Sequence, residues 1–477
     1  MARSLLGLGV LYGLTGASAI RLLGSSVLGP NPGTVNHLNG ESYQQDAIIT
    51  FQGYQYASLW VEDASNSSVR HATLTRRALS SSNATWESLT FTDYNQTEDD
   101  GHDTISIGIS AGDGTIHMAF DQHDNVLHYR VSETGAALSP GNTTWSTDLF
   151  GEVLDHLPGT ESLNVTEYFT PVTYPRFLSI PTSLQSSTTD LIFELRIGRS
   201  GLGDDWLYEY TPGEGWALIG RYLEGVNNNA YINGLDFDSK GNLITTWTYR
   251  DYVNDVGQDV AVQAGPNGPE NNHDLNFASS PDFGRTWLNT WGQPVANVTD
   301  GVPVVPASAG IVVFGIPKYG GILNQEAQAV DNQDRIHVLN RENTTGTEQW
   351  YHYWRSTRSY WTRTPLPLDL PSINNVTNTP TVIGKRGKLV PVTSSSGGGS
   401  TLLAILPDNA ANSTGLSILA STDAGRFRDW EVVWEVQEGC GWEPLVDRYR
   451  LGEDGVLSLY LVNGTDVVVA DLDLEGL

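Results

Sequence analysis

His102 and His123 are the residues of this chain best suited to handling a proton. An imidazole, with an ordinary pKa of ~6.5, can take up or release a proton close to neutrality. Both histidines fall outside strand interiors in the stretch Gly101–Arg130. That stretch reads as a meander of three strands, Thr104–Ser110, Thr115–Phe120 and Val126–Val131. The turn Ala111-Gly112-Asp113-Gly114 joins the first two, and Asp-Gly is a strong hairpin signal. In an antiparallel meander, the lead-in to strand one and the loop from strand two to three lie at the same end. His102 occupies the lead-in and His123 the loop, so the two converge on one face.

The elements that must position them recur along the chain. Strand, Gly/Asp turn, strand, polar loop, third strand and then Trp repeat seven times. The first copy has Ala47–Thr50, Tyr56–Glu62, Val69–Thr75 and Trp86; the second is the opening stretch, closing at Trp145. The third has Arg176–Ser179, Leu191–Arg196, Trp206–Tyr210 and Trp216, and the fourth Ile232–Phe237, Asn242–Tyr249, Asp274–Ser279 and Trp287. The fifth has Glu326–Val330, Arg335–Asn340, Trp350–Arg355 and Trp361, and the sixth Thr379–Ile383, Lys388–Thr393, Leu416–Ser421 and Trp430. The seventh has Leu445–Tyr449, Val456–Val462 and Asp466–Asp471 and lacks an outer strand. The pattern predicts an all-β chain: a seven-bladed β-propeller of four-stranded antiparallel blades. A segment within Gly33–Gln45 is expected to close the ring and remove the open edge. Ser280-Pro281-Asp282-Phe283-Gly284-Arg285-Thr286-Trp287 is a full Asp box, and Ser421-Thr422-Asp423-Ala424-Gly425 a looser one. Both read as fold-building hairpin turns.

The same end of each repeat carries the other candidates. The lead-ins place Tyr174, Tyr231 and Gln325 with His102. The second-to-third connections place Arg196, Arg199, Tyr249, Arg250 and Arg341 with His123, and His273 precedes a third strand. A concave face lined by His, Tyr and Arg is the default site. The opposite face carries the turns at Asp113-Gly114, Asp238–Gly241, Asp331–Asp334 and Gly384–Gly387. His117 and His337 lie within second strands and read as packing residues. By sequence alone His102 and His123 read equally as solvated turn residues, Tyr174 as a packing aromatic, and Arg196 and Arg199 as partners of a carboxylate or of solvent.

Composition narrows the setting. A net charge of −29, from 26 basic and 55 acidic residues, argues against nucleic acid as a partner. It would also repel an anionic substrate at long range, so local arginines would have to supply the attraction. Met1–Ala19 reads as a signal peptide, with Arg3, the apolar Leu5–Leu14 and Ala17-Ser18-Ala19. The apolar stretch is too short to span a membrane, and residues 20–477 are read as one catalytic domain. Sequons at Asn66, Asn83, Asn95, Asn142, Asn164, Asn297, Asn343, Asn375, Asn412 and Asn463 fit a secreted eukaryotic glycoprotein. Cys440 is the only cysteine, so no intrachain disulfide can form. A monomer is expected.

Asp100-Gly101-His102, the His123 loop, Thr173-Tyr174-Pro175, Arg196 with Gly198-Arg199-Ser200-Gly201, and Asn272-His273-Asp274 leading to the Asp box resemble polysaccharide lyases built on BNR-type seven-bladed propellers. That group includes the ulvan lyases and the fungal rhamnose–glucuronate lyases that act on gum arabic. The resemblance covers nearly all of the mature chain, and signal peptide and sequons point to the fungal branch. It implies β-elimination from a uronic-acid polysaccharide, with a base taking the C5 proton and the C4 substituent expelled. In that scheme His123 is the leading base, His102 and Tyr174 assist as acid or carboxylate donors, and Arg196 neutralises charge. Arg199, Tyr231, Tyr249, Arg250, His273, Gln325 and Arg341 would bind substrate. No cofactor is required; a structural Ca2+ is an open possibility, and no H-E-x-x-H spacing supports zinc.

Two other classes fit the repeats. A sialidase-type glycoside hydrolase would share the Asp boxes but needs an arginine triad that the scattered loop arginines do not suggest. A carbohydrate-binding propeller without catalysis would use aromatic platforms, for which Trp206, Trp247 and Trp350 are available.

Overall fold

Short, strand-favouring runs separated by Gly/Asp turns fold here into seven antiparallel sheets around a central channel. The structure is a computed structural model and describes residues 20–80, 85–181, 184, 188–199, 202–225, 228–251, 271–346, 348–367, 384–393, 399–408 and 413–477. From the channel outward, blade 1 is Ile48–Phe51, Tyr54–Asp63, Asn66–Ala78 and Glu87–Thr90. Blade 2 is Ile105–Ile109, Ile116–Phe120 and Tyr129–Val131. Its outer position is filled by single bridges, Ser132 to Phe150 and Tyr129 to Leu154, so Trp145 marks no strand and instead lies beneath the Arg76 guanidinium at 4.5 Å. Blade 3 is Val172–Ser179, Leu191–Ile197, Asp204–Thr211 and Gly215–Leu223, and blade 4 is Asn228–Phe237, Leu243–Asp251, Asn272–Ser280 and Thr286–Leu288. Blade 5 is Ala327–Val330, Ile336–Glu342, Gln349–Arg355 and Trp361–Pro365.

Blade 6 departs from the sequence expectation. Its inner strand is Lys388–Thr393, followed by Ser400–Pro407, Leu416–Thr422 and Glu431–Val436. Lys388–Thr393 was expected as the second strand, and the expected first strand Thr379–Ile383 lies outside the described residues. The slip arose because Ser400–Pro407 is buried on both faces and shows no alternation. Gly384–Gly387 is therefore a lead-in on the histidine face, not a hairpin on the opposite one.

Blade 7 is Leu445–Val446, Val456–Asn463 and Asp466–Asp473, and its outer strand is Arg21–Pro30, antiparallel to Asp466–Asp473. The closing strand precedes the expected Gly33–Gln45. An edge strand is covered on one side only, and Arg21–Pro30 is mostly exposed, so its pattern is faint. The Gly33–Gln45 segment instead leads across the channel mouth: the Gln45 carbonyl accepts from Phe177 N–H, and Asp46 exchanges backbone bonds with Ile107.

The Asp box performs as expected. The Asp282 carboxylate accepts from Ser280 Oγ (2.8 Å) and Thr286 N–H (2.7 Å), Gly284 takes φ +95°, and Trp287 Nε1 donates to the Gly284 carbonyl. In the looser copy Asp429, not Asp423, caps the turn, accepting from Ser421 Oγ at 2.5 Å. His117 and His337 are fully buried packing residues; His117 bonds Thr115 and Tyr129, and His337 bonds Asp331 and His352. Among the described residues no helix is long and apolar enough to cross a membrane.

Candidate active site

The inner strands run from the same face, so their lead-ins ring one mouth of the channel. His102 of blade 2, Gln325 of blade 5, Arg386 of blade 6 and Trp442 of blade 7 occupy such positions, with Tyr43 from the segment before blade 1. Tyr174 and Tyr231, expected as lead-ins, lie instead near the start of the inner strands of blades 3 and 4, which begin earlier than expected. Several are strained: Tyr174 (φ +58°), Gln325 (φ +60°) and Lys385 (φ +54°) adopt left-handed backbone, as do Asp121 and Asp124 flanking His123. Such conformations cost of order ~1–3 kcal/mol each and gather at functional sites.

The histidines meet as expected. Their rings stack at 3.8 Å between centroids and 22° between planes. His123 opens a short strand, His123–Asn125, that leaves blade 2 and pairs with Val172 and Thr173 of blade 3. The Asp100 carboxylate bridges the pair, one oxygen 2.5 Å from His102 Nδ1 and the other 2.5 Å from His123 Nδ1. A carboxylate only accepts, so the Nδ1 atoms carry the protons and each Nε2 keeps its lone pair. Burial opposes ionisation of Asp100, but the hydrogen bonds from His102 and His123 outweigh it and hold the carboxyl well below its usual range. Burial lowers His102, Asp100 pulls it back up, and a charge on His123 lowers it again. Some 37% of the His102 side chain stays open, so this desolvation comes from the walls of a funnel, not a closed cavity. The two stacked rings thus share a single anionic support, each with a lone pair on Nε2 able to accept a proton.

Tyr174 sits beside them, its ring 5.6 Å from His102, 4.9 Å edge-on to Tyr43 and 6.0 Å from Tyr231. Burial and the neighbouring Tyr231 push its hydroxyl up to about 12, against the pull of Arg196, Arg250 and Arg386. It is therefore protonated at neutral pH and able to donate. Arg196 lies over its ring at 4.9 Å, with Nη2 donating to Thr173 Oγ1 (3.0 Å) and pairing with Asp124 (3.3 Å). Arg196 is only 1% exposed, so it faces Tyr174 rather than open solvent. Behind it, Glu194 pairs with Arg176 at 2.8 Å, and Asp205 lies opposite Arg196 across the strand pair. Burial raises both carboxyls, Asp205 well above the usual range.

Arg250 of blade 4 is half-buried over Tyr231 at 4.6 Å, its Nε held by Asn272 Oδ1 and Nη2 by Asn324 Oδ1. Asn324 in turn donates to Gln325 Oε1, and the buried Gln325 Nε2 has no partner among the described residues. Tyr231, Arg250 and Gln325 thus form a second polar wall. The remaining candidates stand apart. Arg199 is exposed on the loop after blade 3's second strand. Tyr249 is buried in the core against Trp247. His273 stacks on Tyr249 and bonds Asp274. Arg341 is buried over Trp350, bonded to Glu326 and the Gly384 carbonyl. Trp247 and Trp350 are buried in blades and offer no sugar platform.

Four residues escaped the sequence reading as site members: Asp100, Tyr43, Arg386 and Trp442. Asp100 was visible only as part of the Asp-Gly-His run, Tyr43 precedes the first blade, and Arg386 was hidden by the blade 6 slip. Arg386 bonds the Asn324 carbonyl and Glu443. Asp100, His102 and His123 also present ligand atoms within 4.8 Å of one another, a spacing that would suit a metal ion.

Residues 54–367 match the family described as BNR repeat-containing family member, and the chain belongs to that family. It is 27% identical over 227 residues to an ulvan lyase, long isoform, from Alteromonas sp. (strain LOR). That match covers 41% of this chain and 21% of the relative, so the chain spans about a fifth of that protein's length. The fold is similar to that of the polysaccharide lyase Uly1, with TM-score 0.66 at 15% identity over 95% of this chain and all of that one. It is also similar to a PL25 ulvan lyase, with TM-score 0.61 at 14% identity over 94% and 97%.

Proposed function

We propose that this protein is a secreted polysaccharide lyase that cleaves a glycosidic bond to glucuronate, with rhamnosyl-glucuronate glycans of the gum arabic type as substrate. The observation that carries the reading is the pair of stacked imidazoles on one carboxylate, set against a protonated tyrosine. It supplies the base and acid that β-elimination needs. The base, His123 Nε2, takes the C5 proton while Asp100 holds Nδ1–H. The C5–H electrons form the C4=C5 bond as the C4–O bond breaks. The Tyr174 hydroxyl gives its proton to the departing oxygen, and the Arg196 guanidinium under the ring stabilises the phenolate until the imidazolium reprotonates it. His102 shares the proton load through Asp100. Arg250, with Asn324 and Gln325, receives the uronate carboxylate, whose neutralisation acidifies C5–H.

Likeness to an ulvan lyase and to polysaccharide lyase folds supports the class. Exposure of Asn66, Asn95, Asn142, Asn164 and Asn463 supports glycosylation and hence secretion. The test is ultraviolet absorbance during incubation with gum arabic, ulvan and other uronate glycans, because elimination leaves a double bond conjugated to the carboxylate. Rising absorbance with gum arabic, abolished in His123→Ala, is the expected result. Reducing ends without absorbance would move the assignment to hydrolysis. Full turnover by a folded His123→Ala protein would remove His123 from the base role.

A further inference from the structure

We infer that His37 and Trp442 form a stacking subsite for the neutral sugar ring next to the uronate; the inference rests on the glycan-lyase reading above. The two rings lie face to face, 4.2 Å between centroids and 15° between planes, and both are partly exposed. Their orientation is built in. Trp442 Nε1 donates to the buried Glu41 Oε1 at 2.7 Å, and Gly384 leaves the space against Trp442 that a side chain would fill, a Cβ there meeting the indole at 2.4 Å. Glu41 is backed by Arg386, which Glu443 engages at 2.9 Å.

The pair adjoins the catalytic histidines. A Cβ on Gly101 would lie 3.1 Å from the His37 carbonyl and 3.4 Å from Glu41 Oε1, and Gly101 stands between Asp100 and His102. Trp442 belongs to the blade 7 lead-in, so the stack forms the wall opposite Arg250 and Gln325. A glycan with its uronate on that second wall and its scissile bond at His123 would carry its next ring over His37. The chemistry there favours a neutral ring. Aromatic faces attract sugar C–H surfaces, whereas the charges that act on His37 are Glu443, which engages Arg386, and Lys385, whose Nζ is held by the Ser413 and Gly441 carbonyls. Burial also keeps His37 below the ordinary imidazole range, against the pull of Glu443, so its ring is uncharged near neutrality.

Calorimetric titration in a His123→Ala background tests this without turnover. One probe is a gum-arabic oligosaccharide with a neutral ring beside its glucuronate, the other a glucuronate-only disaccharide. His37→Ala is expected to weaken the first about three- to tenfold, the scale of one ring-stacking contact, leave the second unchanged, and be rescued by His37→Phe. Equal weakening of both probes, or of neither, would overturn the subsite. Trp442→Phe, which keeps a backing ring, should give a smaller loss of the same selectivity. Binding of the first probe to the unmodified protein without absorbance would sink the lyase assignment and leave the subsite standing. No binding of it at all would remove both.

Discussion

Replacing Asp100 by Asn changes one atom and removes the charge that both histidines share. The carboxylate accepts two charge-assisted hydrogen bonds of 2.5 Å. Such bonds contribute ~1.5–3 kcal/mol each, and the Asp100 side chain is 36% open to solvent, so screening reduces the pair to about 1.5–3 kcal/mol in total. At ~1.36 kcal/mol per decade, kcat should fall about ten- to 150-fold. An amide can accept from one Nδ1–H but turns a donor toward the other, so one imidazole must change tautomer or rotate. The pH profile gives an independent readout. Asp100 raises His102 against the burial that lowers it, so without the charge protonation is harder and the acid limb of kcat/KM should move to lower pH. Stopped-time absorbance assays across pH, with a thermal melt for folding, measure both effects. An Asp100→Asn protein with near-normal kcat and an unmoved acid limb would refute the shared-carboxylate reasoning.

Four further outcomes are expected. Arg196→Lys should lower kcat about tenfold, the scale of a desolvated guanidinium–ring contact. The lysine keeps the positive charge that pulls the Tyr174 hydroxyl down, so any alkaline limb should stay in place. Trp287→Ala empties a site with no exposure and should cost ~3–5 kcal/mol in denaturant melts, while Trp291→Ala, 67% exposed, should cost little. A chain starting at Asn31 loses the strand that covers Asp466–Asp473 and should melt lower and associate with concentration in light scattering. Lys388, half-buried and bonded to Ser42, is lowered by desolvation to about 8. The unfolded chain then holds more protons between pH 8 and the ordinary lysine value of ~10.4, so stability rises with pH across that window. Lys388→Met should flatten that rise in urea melts.

The repeats, the hairpin turns and the Asp box were legible because each is local: a few residues determine turn geometry, and alternation reports one buried face. His102 and His123 could be brought together without coordinates because meander topology alone places lead-ins and second-to-third loops at one end. The legibility stopped where a strand is buried on both sides or on neither. Ser400–Pro407 hid the blade 6 register and with it Arg386; Arg21–Pro30, an edge strand, hid the closure. Only tertiary structure decided the contacts within the funnel. Asp100 gains its importance from touching two rings at once, Arg196 turns beneath Tyr174 instead of facing solvent, and Arg341 and Tyr249 are consumed by the core. Spacing along a strand says which end a residue occupies. Which way its side chain turns, and what charge waits there, depends on the neighbouring blade, which is remote in sequence.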